Sequence, residues 1–370
     1  MIDLSIKKLG FGLMRLPKKD DQIDLEQVKT MVDLFMAAGC TYFDTAWAYP
    51  GSEEAIRKAL IERYPRDSFT IATKNAAWLE CKNRDDAIRQ FETSLERTGA
   101  GYFDFYLLHN LGQQRTQVFE DFDMWNFVKE KKAEGKIKHI GFSFHSTADE
   151  LEKILIAHPE AEFVQLQINY ADWNDPDIQS RKNYEMARKY GKPVVIMEPV
   201  KGGLLAAPPD AVEKIFKKAD PDASCASWAI RFAAGLDGVI TVLSGMSNIA
   251  QMQDNLSYMK EFRPLDEKEQ AVIRQAQQAM HEIPLIPCTS CNYCAEVCPK
   301  EIGISQTFKA LNLLTLYRNL DMAKHREQVD VDLAGRKHAE ACIQCGRCEQ
   351  VCPQHITIRS YLQEAKEKLR

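Results

Sequence analysis

The chain has 370 residues, 45% hydrophobic and 27% charged, with a formal net charge of −5. That composition argues against disorder or a coiled coil, leaves room for one large domain plus a smaller one, and offers no global attraction to nucleic acid or anionic membrane. No stretch approaches the roughly 20 apolar residues of a spanning helix, and the N-terminus lacks the basic-then-apolar run of a secretory signal, so a cytoplasmic protein without nucleic-acid or membrane partners is expected.

Along the chain, short apolar, β-branched runs alternate with amphipathic helical segments. A short strand is expected near Gly10–Leu13. The following strands are expected at Tyr42–Thr45, Phe69–Thr73, Phe103–Leu108, His139–Ser143, Phe163–Ile168, Pro193–Met197 and Gly238–Leu243. Helices are expected over Ser52–Arg63, Arg84–Thr98 and Ser180–Tyr190, the last stopped by Gly191 ahead of Lys192-Pro193. Eight βα units in roughly 250 residues is the size of a TIM (β/α)8 barrel. A doubly wound open sheet is the alternative, but no Gly-x-Gly-x-x-Gly follows the first strand. The barrel is placed over residues 1–263, and the segment 264–287 reads as a linker helix between Pro264 and Pro287.

In such a barrel the working residues project from the C-terminal ends of the strands. The expected strand ends carry Asp44-Thr45-Ala46-Trp47-Ala48-Tyr49, Thr73-Lys74, Leu108-His109-Asn110 and Ser143-Phe144-His145. Asp, Tyr, Lys and His at one mouth suit carbonyl reduction, because a nearby ammonium favours tyrosinate and lowers the phenol pKa while Asp44 holds Lys74 charged. Taken singly, Asp44 could be a strand-end cap and His109 a core histidine.

Phe43-Asp44-Thr45-Ala46-x-x-Tyr49, Gly51-Ser52-Glu53, Ile71-Ala72-Thr73-Lys74 and Tyr106-Leu107-Leu108-His109 together resemble the motifs of the aldo-keto reductases, as do Glu134–Ser143, Gly245-Met246-Ser247 and Asn255-Leu256. The resemblance runs in order over about residues 5 to 260. It implies a nicotinamide-dependent oxidoreductase that acts on a small-molecule carbonyl, with Tyr49 as proton donor, Lys74 and Asp44 tuning it, and His109 orienting the carbonyl. It implies that Ser143 and Gln165 hold the nicotinamide carboxamide and that Gly245, Ser247, Gln251 and Asn255 clasp the adenine end, with Met14, Met197 and Gly203 also against the cofactor. Two departures stand out. Met197-Glu198-Pro199 replaces the expected aromatic that stacks on nicotinamide, and the Gly245–Asn255 segment has no basic residue for a 2′-phosphate, which leaves NADP and NAD both open.

Eight of the eleven cysteines lie in two C-terminal runs, Cys288/Cys291/Cys294/Cys298 and Cys342/Cys345/Cys348/Cys352, and in a cytoplasmic chain such clustering favours metal over disulfides. Each run reads Cys-x-x-Cys-x-x-Cys-x-x-x-Cys-Pro, the ligand pattern of cubane clusters in bacterial ferredoxins, whose fourth cysteine ligates the other cluster. Two interleaved 4Fe-4S sets are therefore expected: Cys288, Cys291, Cys294 and Cys352, and Cys342, Cys345, Cys348 and Cys298. Zinc would not explain the repeated third cysteine and Cys-Pro. Between the runs, Phe308, Leu311, Leu314, Tyr317 and Met322 recur at roughly helical spacing, so residues 288–370 resemble the small, mainly α-helical ferredoxin-like domains of fumarate reductase and heterodisulfide reductase subunits. The stripe reads as core rather than docking face.

Hydride transfer to a carbonyl needs no iron, and clusters move one electron at a time. Three readings follow: a reductase whose clusters exchange electrons with a soluble carrier, with a flavin at the barrel mouth as adaptor; a self-sufficient reductase with structural or sensing clusters; or a non-catalytic barrel serving as an electron-transfer or redox-sensing subunit. The intact Asp44, Tyr49, Lys74 and His109 favour an enzyme. Trp47, Trp78 and Trp173 are candidates for aromatic pocket walls, and Cys81 for a thiol at the mouth.

Overall fold

The computed structural model describes residues 2, 4–112 and 114–369. Eight parallel strands close into a barrel: β1 (Leu9–Gly12), β4 (Tyr42–Asp44), β5 (Thr70–Asn75), β6 (Phe103–Leu111), β7 (Ile137–Phe144), β8 (Phe163–Gln167), β9 (Val194–Met197) and β10 (Val239–Ser244). β1 pairs with both β4 and β10, which closes the ring. The expected TIM barrel and all eight of its strands are present. Between β1 and β4 lies a two-stranded hairpin, β2 (Lys18–Lys19) and β3 (Gln22–Ile23), which the apolar pattern does not announce; Asp20 and Asp21 turn its corner at positive φ.

Inward side chains fill the barrel, with Tyr42, Phe105, Leu107, Phe163, Val195 and Ile240 forming a buried cluster. Gly141 on β7 leaves the space that the Phe163 ring occupies, since a Cβ there would come within 2.5 Å of the ring. A second, larger apolar layer lies between the strands and the surrounding helices. The helix Arg84–Thr98 begins at Asn83, whose side chain accepts from the Asp86 N–H, and stops at Gly99 in the left-handed region. The segment expected as one helix over Ser52–Arg63 is an α-helical turn, Ser52–Ile56, followed by a π-helical turn, Arg57–Ile61.

The chain divides into two compact units. One comprises the chain up to Ala206 with Asp222–Ile273; the other comprises Ala207–Pro221 with the chain from Arg274 onward. The helix found where the linker was expected spans Glu267–His281, and the division falls inside it. The second unit is mainly helical, with helices Ile304–Tyr317, Leu320–Leu333 and Ile358–Lys368. Its core groups Ile302, Ile304, Phe308, Leu311, Ile358 and Leu362 around the buried Cys294 and Cys348. Phe308, Leu311 and Tyr317 of the interhelical stripe are buried as core, while Leu314 and Met322 are half-buried. Among the described residues no helix is long and apolar enough to cross a membrane.

Candidate active site and four-cysteine sites

A cavity of about 870 Å³ opens at the C-terminal ends of the barrel strands. β4 ends on Asp44, and its neighbour β5 carries Lys74. The Lys74 Nζ donates to Asp44 Oδ1 at 2.5 Å and to the carbonyl of Thr45 at 2.7 Å, with Lys74 entirely buried. Tyr49, on the loop after β4, sets its ring 5.0 Å from that Nζ. The His109 ring, near the end of β6, meets Tyr49 edge-on at 5.8 Å between centroids. Asp44, Tyr49 and His109 line the cavity, and Lys74 lies behind them. The four expected catalytic residues are thus brought together.

Their electrostatics differ from the expectation in one respect. Burial raises the Tyr49 phenol above its ordinary value, outweighing the Lys74 ammonium that pulls it down. The phenol therefore keeps its proton at neutral pH, and the ammonium is placed to stabilise the anion left after that proton moves. Burial acts against charge on Lys74, but Asp44 and Tyr49 together raise its pKa and keep it cationic. Burial also raises the Asp44 carboxyl, with Lys74 opposing it. Burial, reinforced by Lys74, His145 and Arg115, holds His109 well below the usual histidine range, so its imidazole is neutral.

Gln165, Met197, Met14, Gly203, Gly245, Ser247, Gln251 and Asn255 all line the same cavity. Gln165 sits at its wall with Oε1 buried and unpartnered among the described residues and Nε2 3.5 Å from Met197 Sδ. His109 Nδ1 is likewise buried without a partner. These two free polar atoms fit a carboxamide and a carbonyl substrate better than an empty apolar pocket would. Ser143 is not part of the lining; it is buried, and its Oγ accepts the Asn110 N–H at 2.8 Å. Ser247 N–H donates to Gln251 Oε1 at 2.7 Å and Asn255 Nδ2 donates to Ser244 Oγ at 2.6 Å, so this end of the cavity is tied internally.

Trp78 lines the cavity and donates its indole N–H to the His109 carbonyl at 2.7 Å, whereas Trp47 and Trp173 are outside the lining. Trp173 instead packs on Tyr184 and Phe232. Cys81 is also outside, with Gln90 Nε2 at 3.2 Å from its sulfur. Sequence reasoning missed Arg15 and named Glu198 and His145 without giving them a place in the site; Arg15 and Glu198 approach to 4.0 Å at the wall, and burial pushes the His145 imidazole down to about 4. Glu198 adopts φ 58°, a left-handed conformation no pattern announces.

In the second unit one small cavity is lined by Cys288, Cys291, Cys294 and Cys352, and another by Cys298, Cys342, Cys345 and Cys348. The structure therefore groups the thiols in the crossed sets rather than by consecutive run. Each cavity gathers four cysteines, with no His, Asp or Glu in its lining, an all-thiol donor set that fits a 4Fe-4S cluster. Backbone conformation repeats between the two runs: Ser290 and Gln344, then Asn292 and Gly346, take positive φ at equivalent places. The turn at Gln344 aims its N–H at Cys342 Sγ, 3.4 Å away. Burial and neighbouring thiols, Cys348 among them, push Cys294 up to about 11, and burial with Glu349 does the same for Cys348. Without metal these thiols hold their protons, so loading must release them.

Residues 8–278 match the model of the Aldo/keto reductase family, and residues 287–357 match that of a 4Fe-4S dicluster domain. The chain is similar to an aldo-keto reductase of Strobilurus tenacellus, with 31% identity over 233 residues covering 58% of this chain and 66% of that protein. It is also similar to one of Mycolicibacterium smegmatis, 27% identical over 139 residues, 38% of this chain and 46% of the relative. It thus spans from just under two thirds to about half of the length of these curated relatives. Among solved structures, an aldo-keto reductase of Bacillus halodurans superposes with a TM-score of 0.59 at 24% identity, over 74% of this chain and 93% of that one. One from Klebsiella pneumoniae in complex with NADPH superposes with a TM-score of 0.57 at 20% identity, over 74% and 92%. At those identities the solved structures speak for the fold. The family match extends over most of the chain and contains every residue gathered at the cavity, and the chain accordingly belongs to the aldo/keto reductase family and carries a C-terminal 4Fe-4S dicluster domain.

Proposed function

We propose that the barrel unit reduces a small aldehyde or ketone with a nicotinamide dinucleotide, NADH or NADPH, and that the second unit holds two 4Fe-4S clusters that exchange single electrons with a soluble carrier. The observation that carries the first half is the buried Asp44–Lys74–Tyr49 network opening, beside a neutral His109, onto a cavity large enough for a dinucleotide end and a substrate.

A bound reduced nicotinamide supplies the hydride. Tyr49, kept protonated by burial, gives its phenolic proton to the carbonyl oxygen as negative charge grows there. Lys74 stabilises the phenolate that remains, and Asp44 keeps that ammonium charged and in place. His109 offers its imidazole to the carbonyl oxygen in the neutral form, as an orienting hydrogen-bond partner and not as an acid. Gln165 holds the carboxamide through its unpartnered amide oxygen, and Gly203, Gly245, Ser247, Gln251 and Asn255 wall the remainder of the cofactor. Trp78, Leu79 and His145 complete the substrate side and limit water there.

In the second unit Cys288, Cys291, Cys294 and Cys352 would hold one cluster, and Cys298, Cys342, Cys345 and Cys348 the other, each supplying one-electron chemistry. Carbonyl reduction at Tyr49 is a two-electron step complete in itself, so the clusters answer to their own carrier.

The deciding experiment is Tyr49→Phe in the full chain. Turnover of small aldehydes with NADH or NADPH should fall about 10²–10⁴-fold while quenching of tryptophan fluorescence by the dinucleotide persists. Turnover that survives the substitution would sink the catalytic reading.

A further inference from the structure

The two four-cysteine cavities are alike in shape of chain but not in charge. Each set has one buried cysteine, Cys294 or Cys348, and one exposed cysteine, Cys291 or Cys345. The helical turns bearing the buried pair, Tyr293–Glu296 and Arg347–Gln350, pack against each other, which leaves Cys291 and Cys345 as outward corners. Around Cys291 the cavity is lined by Thr289, Asn292, Phe308, Pro353 and Gln354, with no ionised side chain. Around Cys345 it is lined by Lys300 and Arg359.

Further cations surround this second corner. Arg347 is exposed directly after Gly346, and the Lys366 Nζ donates to the Cys342 carbonyl at 3.2 Å. Glu349 accepts from Arg359 Nε at 2.9 Å, and Glu301, which follows Lys300, sets its N–H on the Cys298 carbonyl. The lining of the cavity itself carries two cations, Lys300 and Arg359, and no carboxylate. Ile343 is 57% exposed between Cys342 and Cys345, an apolar contact in the middle of a cationic rim. A small apolar centre ringed by one sign of charge is the form of a transient docking face, in which charge sets encounter and orientation while the centre excludes water.

We propose that the Cys298/Cys342/Cys345/Cys348 site is the port through which this protein takes electrons from a small acidic one-electron carrier protein, whose carboxylates meet Lys300, Arg347 and Arg359 while its redox group comes up against Cys345 and Ile343. The inference rests on the reading that both four-cysteine sets hold clusters. One electron leaves the reduced carrier and one cluster gains it; no bond is made or broken and no proton is carried with it. The Cys291 cavity, with Tyr293 exposed beside it, has no ionised side chain in its lining, and its cluster takes its electron from the first.

The test uses the anaerobic full chain with both clusters loaded and, as probe, a reduced acidic plant-type ferredoxin, with cluster reduction followed by stopped-flow absorbance and by spin resonance. The wild-type rate should fall steeply as ionic strength rises, and the Lys300→Glu/Arg347→Glu double variant should slow reduction by at least about tenfold at low salt. Tyr293→Glu at the other corner should leave the rate as it was. Dithionite, which needs no docking face, should reduce all three proteins alike. A double variant as fast as wild type, or a larger loss from Tyr293→Glu, overturns the proposal. Should the double variant lose iron, the wild-type salt profile decides, and a rate that is flat or rising with salt overturns it. Wild-type protein that shows no reduced-cluster signal even with dithionite removes the cluster reading itself, a failure distinct from that of the port.

Discussion

Lys74 is wholly buried, and its ammonium is shared among the Asp44 carboxylate, the Thr45 carbonyl and the face of Tyr49. Lys74→Met should leave Asp44 as a buried charge without a counter-ion and cost about 3–5 kcal/mol of stability, read as a lower urea midpoint at unchanged slope. Adding Asp44→Asn should recover part of that loss, because the orphaned charge goes with it; a double variant no more stable than the single one would mean the pair is not coupled. The identity of these residues was legible in the sequence, since Asp44, Lys74 and His109 each fall at or near the end of an apolar run and barrel geometry sends such positions to one mouth. The balance of effects on Tyr49 was not. An ammonium beside a phenol predicts a lowered pKa, but burial prevails, and burial is a property of everything packed around the ring. Trp47 and Trp173 mislead for a related reason: an aromatic near a strand end has a packing alternative, and Trp173 takes it against Tyr184 and Phe232.

At the level of elements, the strands were readable because parallel barrel strands are buried on both faces and show as short apolar runs. Where local geometry departs from a regular period the sequence is silent. The π-turn Arg57–Ile61 keeps the composition of an ordinary helix, and the Lys18–Ile23 hairpin is too short and charged to show alternation. The cysteine runs stand at the opposite extreme, because their spacing already implies that the fourth member of each reaches across, and the cavities group the thiols that way. Cys298→Ser should therefore abolish the same spin-resonance signal as Cys345→Ser and spare the one lost in Cys291→Ser. If Cys298→Ser instead removes the signal lost in Cys291→Ser, the clusters follow the linear order of the runs.

For the whole molecule, the two compact units differ in what holds them together. The barrel closes its own hydrogen-bonded ring over an extensive apolar core, whereas the second unit has a small core whose walls include Cys294 and Cys348. A core of that size gains much of its stability from what binds it. Stripping iron with a chelator under reducing conditions should erase the calorimetric transition of the second unit and leave that of the barrel within a few degrees; a barrel transition that falls equally would show that the clusters stabilise the entire chain. The crossed grouping of Cys298 and Cys352 has one more consequence. Each cluster would tie together segments on either side of the helices Ile304–Tyr317 and Leu320–Leu333, acting as an inorganic cross-link that closes a long loop. The first cluster to form would bring the two runs into register for the second, and losing either would loosen the grip on its neighbour. Assembly and oxidative damage should both then proceed as near all-or-none events, with half-loaded protein scarce at every stage.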